Sequence, residues 1–559
     1  MPVAFGARRL SLLRSFPLRP LIVLVVGIVA FGYRFLSQGR LPNDHYMHLA
    51  WAQQVLLGDM PGKDFVDPGM PLMYALSTAV QYLWPGPFSE TVLTSGLMAV
   101  AAAITFVLVS DITGSAVAGL AAASVQVGLA TRLYGHPKIL IPALVLWALC
   151  RYARTATRVT MIGLAAAVAV AILLRHDLGL FAFAAASVGL VVRWVPEGQR
   201  ARRAVLQLAA ATTVSLVPYL VLVQLFEGWV ERIREGLEFG RGEAHQLMVP
   251  WKHPPALDLA GSADDVAVVA LYYVAYALIP LCLIALWVAR RRDRHVAATV
   301  AAAVTLLTCY CLIILRHPLA ARVPDLAAIL SITGAWLAVE CGRGVHRWVG
   351  RPVVAPLATA AAMVVILTAP LAAVWQLAHV ADHVEKSRLG DGWRKVSERV
   401  QALAKVGTEW PWAWYWPGGD LPEAVRYVSQ CTAPTDRILI TWFAPEYYFF
   451  SQRGFAAGHA MFSSAAAFAT AKDDDKMVAR IRSERVPLVF RNEGSQDGFA
   501  RAHPKLNAFI DDHYTWFDQV SLRDGSVVRM GVRRDLQSNT PYQGRTWPCR
   551  LSDGGRPRR

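Results

Sequence analysis

Charged side chains are scarce in this 559-residue chain: Asp, Glu, Lys and Arg make up 17% of it, against 55% hydrophobic residues. That balance excludes an ordinary soluble enzyme of the same length. Acidic residues are fewer than basic ones, 40 against 56, leaving a formal net charge of +16. In a soluble chain the excess would point to nucleic acid, but in so apolar a chain it has a simpler use in orienting membrane spans, so no nucleic-acid partner is expected. A repeat of fixed period is absent, and so is the pair of related halves usual in secondary transporters. The first apolar run ends in Ser37-Gln38-Gly39-Arg40, which offers no A-x-A-like cleavage site. It is expected to stay as an anchor. No tight metal-ligand set stands out in the sequence, so a metal is not required and a divalent cation is optional.

What the chain does have is apolar runs of about 18 residues or more, the length that crosses a bilayer. They fall near 18–37, 90–110, 114–130, 139–153, 157–174, 178–193, 203–226, 266–290, 297–315, 323–341 and 353–377. About eleven crossings are therefore expected, an odd number. Arginines crowd alternate connectors, as at Arg8 and Arg9, at Arg200 to Arg203 and at Arg290 to Arg294. By the positive-inside bias these connectors and the N-terminus are cytoplasmic. The odd count then puts the loop 38–89, the segment 227–265 and the tail 378–559 outside. Two bodies are expected: a transmembrane module, 1–377, and a C-terminal extracytoplasmic domain, 378–559.

In the first loop, Tyr46, Leu49, Ala50, Gln53, Leu56 and Leu57 recur at helical spacing, with Gly58 as a stop. Leu72 to Leu83 is apolar but too short to cross a bilayer, and suits a helix lying along its surface. Between them "GDMPGKDFVDPGM" is turn chemistry. In the tail, "DRILITW" and "PLVF" read as strands, while "APEYYFFSQR" and "KMVARIRSERV" read as helices, which makes a small α/β domain. The aromatic run Trp410, Trp412, Trp414, Tyr415 and Trp416 fits an interfacial belt or the wall of a sugar site. Of seven cysteines, five lie in or beside spans and only Cys431 and Cys549 fall in the tail. An oxidising compartment permits them to pair, and spacing leaves that open.

Several polar residues stand out in the external segments. Asp44 reads as the N-cap of the helix beginning at His45, and it shares a helix face with His48, four residues on. Asp64 and Asp67 sit in the turn, where local hydrogen bonding is the ordinary use of aspartate. The connector "TRLYGHPK" holds Arg132, His136 and Lys138 against the charge bias; "LRHDLG" holds Arg175, His176 and Asp177; and "LRHPLAARVPD" holds Arg316, His317, Arg322 and Asp325. Such cations end spans by reaching lipid headgroups, or they bind an anion.

An acidic residue opening the first external loop, two surface helices, a "D-x-x-x-P-L-x-Y" stretch and an external C-terminal domain together resemble the GT-C glycosyltransferases. The likeness is to the branch holding protein O-mannosyltransferases and the lipid A aminoarabinose transferase. It rests on Asp44 in "NDHYMHLAWAQQVLLGD", on Asp67, Pro71, Leu72 and Tyr74 in "DPGMPLMY", and on "APEYYFFSQRGFAAG". Where the family commonly follows its second acidic position with lysine, this chain has Pro68, Gly69 and Met70. The resemblance implies a sugar donor carried on a polyprenyl phosphate and an acceptor hydroxyl on a cell-envelope glycan, lipid or protein. It implies Asp44 as base and Asp67 as its helper, with a substrate-binding set of Lys138, Arg132, His136, Arg175, His48 and Asp64. A high-GC bacterial composition makes the membrane the bacterial inner membrane and the outside the periplasm or its equivalent. A transporter and a lipid-linked glycan ligase or polymerase are the competing readings.

Overall fold

The computed structural model describes residues 18–38, 41–67, 69–129, 132–244, 252, 254–289, 293–316, 318–349, 368, 370–408, 421–462, 473–521, 525–536 and 540–549. Among the described residues up to 349 there are thirteen α-helices: α1 (Leu18–Leu36), α2 (Asn43–Leu56), α3 (Pro71–Leu83), α4 (Pro87–Thr113), α5 (Ala116–Leu129), α6 (His136–Thr155), α7 (Arg158–Leu174), α8 (His176–Trp194), α9 (Gly198–Phe226), α10 (Trp229–Ala244), α11 (Ala263–Ala289), α12 (Arg294–Arg316) and α13 (Ala327–Val349). Eight of them are long and apolar enough to cross a membrane: α1, α4, α6, α8, α9, α11, α12 and α13. The protein is therefore a polytopic α-helical membrane protein. At the expected spans 114–130 and 157–174 the helices are shorter, α5 with 14 residues and α7 with 17. At 1.5 Å per residue α5 reaches only about 21 Å, less than the ~30 Å hydrocarbon core. The eleventh expected span, 353–377, lies largely outside the described residues, as does the aromatic run at 410–416.

The chain divides into two compact units. The first holds Met1–Gly39, Thr91–Val217 and Pro250–Val400; the second holds Arg40–Glu90, Pro218–Val249 and Gln401–Arg559. Thus the first loop and the start of the segment 227–265 group with the tail.

In the first unit the helices approach closely through small residues. Ala182, Ala185 and Ala186 of α8 and Ala298, Ala302 and Ala303 of α12 are all buried. A Cβ on Gly189 would stand 2.5 Å from Leu149 Cδ2 and 2.9 Å from the Ala298 carbonyl oxygen, so only glycine fits there. Without a hydrophobic drive between helices in lipid, such backbone proximity is the main source of helix association. The turn into α7 is closed by a capping box between Thr157 and Thr160.

In the second unit, strands β1 (Arg437–Ile440), β2 (Gly454–Phe455), β3 (Leu488–Asn492), β4 (Tyr514–Ser521) and β5 (Val527–Arg533) form one sheet in the order β2-β1-β3-β5-β4. β1 pairs in parallel with β2 and β3, whereas β5 is antiparallel to β3 and β4. Alternate side chains bury on opposite faces. Ile438, Ile440 and Phe490 join Leu49 and Trp51 of α2 and the aromatic helix Glu446–Ser451 in one core. Leu439 and Val489 join Phe499, Leu506 and Ile510 in the other.

Edge strand β2 is finished by a side chain from the first loop. Buried Gln54 accepts from the Phe455 N–H at 3.0 Å and donates to its carbonyl at 3.3 Å, imitating a neighbouring strand. The same amide donates to Asp59 at 2.6 Å, and Asp59 in turn accepts from Arg437 at 2.7 Å. Gly454 is required here, because a Cβ would come within 2.9 Å of Gln54 Oε1 and closer still to Arg437. A Gln54→Leu variant strands the Phe455 N–H and carbonyl, and is expected to lose about 2–3 kcal/mol. A denaturant titration of the purified protein reads this directly.

Cys431 and Cys549, left open by the sequence, form a disulfide with Cα atoms 4.7 Å apart. Cys150, Cys282, Cys309, Cys311 and Cys341 are free thiols.

Candidate functional site

The acidic residues of the first loop all fall in the second unit. α2 starts earlier than the capping reading places it: Pro42 occupies the cap, and Asp44 stands in the first turn, half-buried. An acid in the first turn is still favoured by the positive end of the helix. On the same helix His48 is buried, its ring edge-on to Trp51 at 5.4 Å. His45, next to Asp44, is fully buried, and its Nε2 lies 3.0 Å from Glu90, which also accepts from Ser77 at 3.0 Å. The pair leaves no trace in the sequence, because nothing in one dimension joins His45 to a glutamate at the start of α4.

Asp67 is buried and engaged on both oxygens. Oδ1 accepts from the Gly69 N–H at 2.9 Å; Oδ2 accepts from the Tyr219 hydroxyl at 3.1 Å and lies 3.2 Å from the Arg232 guanidinium. Arg232 also donates to the Asp67 carbonyl at 2.5 Å and stands 3.7 Å from Glu227. Burial, and then the charge of Asp67, holds the adjoining Tyr74 phenol above its ordinary value. Burial alone would lower the Arg232 guanidinium, but Asp67, with Tyr219, Glu227 and Tyr74 adding to it, outweighs this and raises it. So the turn is clamped by a charge-assisted fork. Glu227 and Arg232 lie in the external segment 227–265, where acid and base just beyond a span were the available signal; Tyr219 had none. Asp64 accepts from the Met60 N–H at 2.9 Å and faces Arg480 at 3.6 Å, so it closes its own turn.

The cations sit in the first unit. Lys138, in the first turn of α6, pairs with Asp325, and a fifth of each side chain remains exposed. Arg175, the single residue between α7 and α8, forks onto Asp177 at 2.8 and 3.0 Å. Arg175 and Arg322 both interact electrostatically with Lys138. The connectors flagged in sequence therefore gather Lys138, Arg175, Arg322, Asp177 and Asp325 at one group of helix ends. Arg132 is exposed and donates to Tyr134 at 2.8 Å, while His136 is buried at the start of α6. Among the described residues, no three His, Cys, Asp or Glu side chains converge to hold a metal ion.

One further acid lies in the tail motif "APEYYFFSQR". Glu446 has a buried Oε2 without a hydrogen bond, and burial pushes its carboxyl from the ordinary 4.5 up to about 7. An acid raised on folding stabilises the fold fully below its unfolded value and loses that contribution as pH climbs through the folded value. Stability is thus expected to fall between pH 4.5 and about 7. Glu446→Gln should flatten this slope and gain on the order of 2 kcal/mol at neutral pH. Melting temperatures at pH 5 and pH 8 check it.

No family model matches the chain, and no curated protein matches it. Among solved structures it is similar to ArnT from Cupriavidus metallidurans, both bound to undecaprenyl phosphate and in the apo state. The identities are 14% and 15%, the TM-score is 0.46 for each, and the alignments cover 92% of this chain and 97% of the other. A likeness of this depth carries no functional argument.

Proposed function

We propose that this protein is an integral-membrane glycosyltransferase of the GT-C type, moving a sugar from a polyprenyl-phosphate donor to an extracytoplasmic hydroxyl. The observation that supports the reading is the gathering of Lys138, Arg175 and Arg322 at one group of helix ends, a cationic cluster suited to a departing phosphate. The disulfide supports an oxidising compartment around the tail, which this reading takes as the periplasm, with the N-terminus cytoplasmic by the positive-inside bias.

Inverting transfer needs a base for the acceptor proton and positive charge for the departing phosphate. In this reading Asp44 accepts the proton as the hydroxyl oxygen bonds to the anomeric carbon. The bond from that carbon to the phosphate oxygen breaks, and the polyprenyl phosphate leaves with the electron pair. Lys138, Arg132 and Arg175 stabilise the phosphate charge. Asp67, with Tyr219 and Arg232 already on its oxygens, serves to hold the loop in shape for Asp44. His48, His136 and Asp64 complete the proposed substrate-binding set, and no metal is needed for any step written here.

Membranes containing wild type or Asp44→Asn, supplied with radiolabelled polyprenyl-phosphate sugars, provide the test. Wild type is expected to move one label to an envelope acceptor, and the variant to lose about 10²–10⁴ of that rate at unchanged expression. Undiminished transfer by Asp44→Asn would remove Asp44 as the base, and failure of every donor with wild type would remove the activity.

A further inference from the structure

Helix α9 reaches its end at Phe226, and after Glu227 and Gly228, whose φ is 85°, the chain turns into α10. The corner is fixed by the Trp229 indole, which donates to the Leu220 carbonyl at 2.9 Å. At 100° per residue, Trp229, Ile233, Leu237 and Val230 fall within one arc of about 100° on α10. They are 51%, 64%, 59% and 84% exposed, so no described part of the protein covers them. The other side of the helix is occupied: Arg232 reaches Asp67, and Glu231 lies 3.9 Å from Lys476.

The apolar arc follows directly on the surface of α9 that any bilayer must cover, where Leu222 and Leu225 are 45% and 70% exposed. A tryptophan with its N–H satisfied and its ring bare, at the head of a helix just past a span, suits the boundary between headgroups and acyl chains. We infer that α10 lies in that boundary, with Trp229, Val230, Ile233 and Leu237 among lipid and its other side holding Arg232 on Asp67. The bilayer surface is then one wall of the clamp. Arg232 is a positioning residue whose placement depends on the seating of α10; its bearing on sugar transfer rests on the function proposed above.

Seating and coupling separate experimentally. For seating, full-length protein lacking the five free thiols but keeping the Cys431–Cys549 bond is placed in phosphatidylethanolamine/phosphatidylglycerol nanodiscs. Spin labels go on Val230→Cys, Leu237→Cys and Arg234→Cys, the last lying outside the apolar arc. Labels at 230 and 237 should collide more with oxygen than with a water-soluble nickel chelate, and the label at 234 the reverse. Nickel access at all three positions overturns the proposal, as does exclusion of both reagents from 230 and 237, which would mean that protein or a second copy covers the arc. This arm stands whether or not the chain transfers sugar.

For coupling, the paired change Ile233→Asp with Leu237→Asp should lower kcat about tenfold and leave KM for the lipid donor within about twofold. Arg232→Gln should do the same, with Arg232→Lys recovering most of the loss through one retained contact to Asp67. Wild-type rates in Arg232→Gln, or in the doubly acidic helix, overturn the coupling.

Discussion

Lys138→Met is expected to abolish detectable transfer, a loss of at least about a hundredfold, and to weaken the protein as well. Both effects follow from its place at the start of α6, where it pairs with Asp325. Removing the ammonium leaves the carboxylate without its counter-charge; because a fifth of each side chain is exposed, the cost is on the order of 2–3 kcal/mol, below that of a fully buried pair. Stability and chemistry can be told apart by a second change. Asp325→Asn in the Lys138→Met background removes the stranded charge, so thermal stability should return towards wild type. Transfer should not return if Lys138 serves the departing phosphate as proposed above. Activity restored in the double variant would show that Lys138 serves only the fold, and the phosphate role would pass to Arg132 and Arg175.

The second large effect is on the tail. Cys431 and Cys549 are 118 residues apart, and closing a loop of that length in the unfolded chain is worth about 4–5 kcal/mol. The bond pins the segment 540–549 to the helix Leu421–Cys431, where Tyr427 stacks edge-on against Tyr542 and Trp547 at 5.3 and 5.1 Å and donates to the Pro548 carbonyl at 2.6 Å. Cys431→Ser with Cys549→Ser should therefore free that segment first. Limited proteolysis of the full chain should cut within 540–549 in the variant and spare it in wild type, and the urea midpoint of the tail should drop by a large fraction. Equal protease resistance would mean that the aromatic packing alone holds the segment.

Much of this architecture is legible in one dimension, for physical reasons. A bilayer demands long apolar helices, and α1, α4, α6, α8, α9, α11, α12 and α13 announce themselves by that demand. The loop helices α2 and α3, the strands β1 and β3, and the helices Glu446–Ser451 and Asp474–Ser483 were readable from periodicity and turn residues. Strand β2 was not, because two residues carry no period and it exists through its pairing with β1 and with Gln54. β4 and β5 were missed because β4 is an edge strand whose buried and exposed positions do not alternate cleanly. The cationic helix ends were legible because Arg and Lys there run against the charge bias of the loops. The engagement of Asp67 by Arg232, 165 residues away, is a tertiary fact with no local trace.

The strand-like amide of Gln54 has a practical corollary for anyone excising the C-terminal domain. A fragment beginning after the last membrane helix would lack the first loop, and the outer rim of β2 would carry free donors and acceptors beside bare apolar side chains. Such a rim recruits whatever extended chain is nearby, so the excised piece should self-associate through it. Grafting residues 41–83 back through a flexible tether should return it to a monomer.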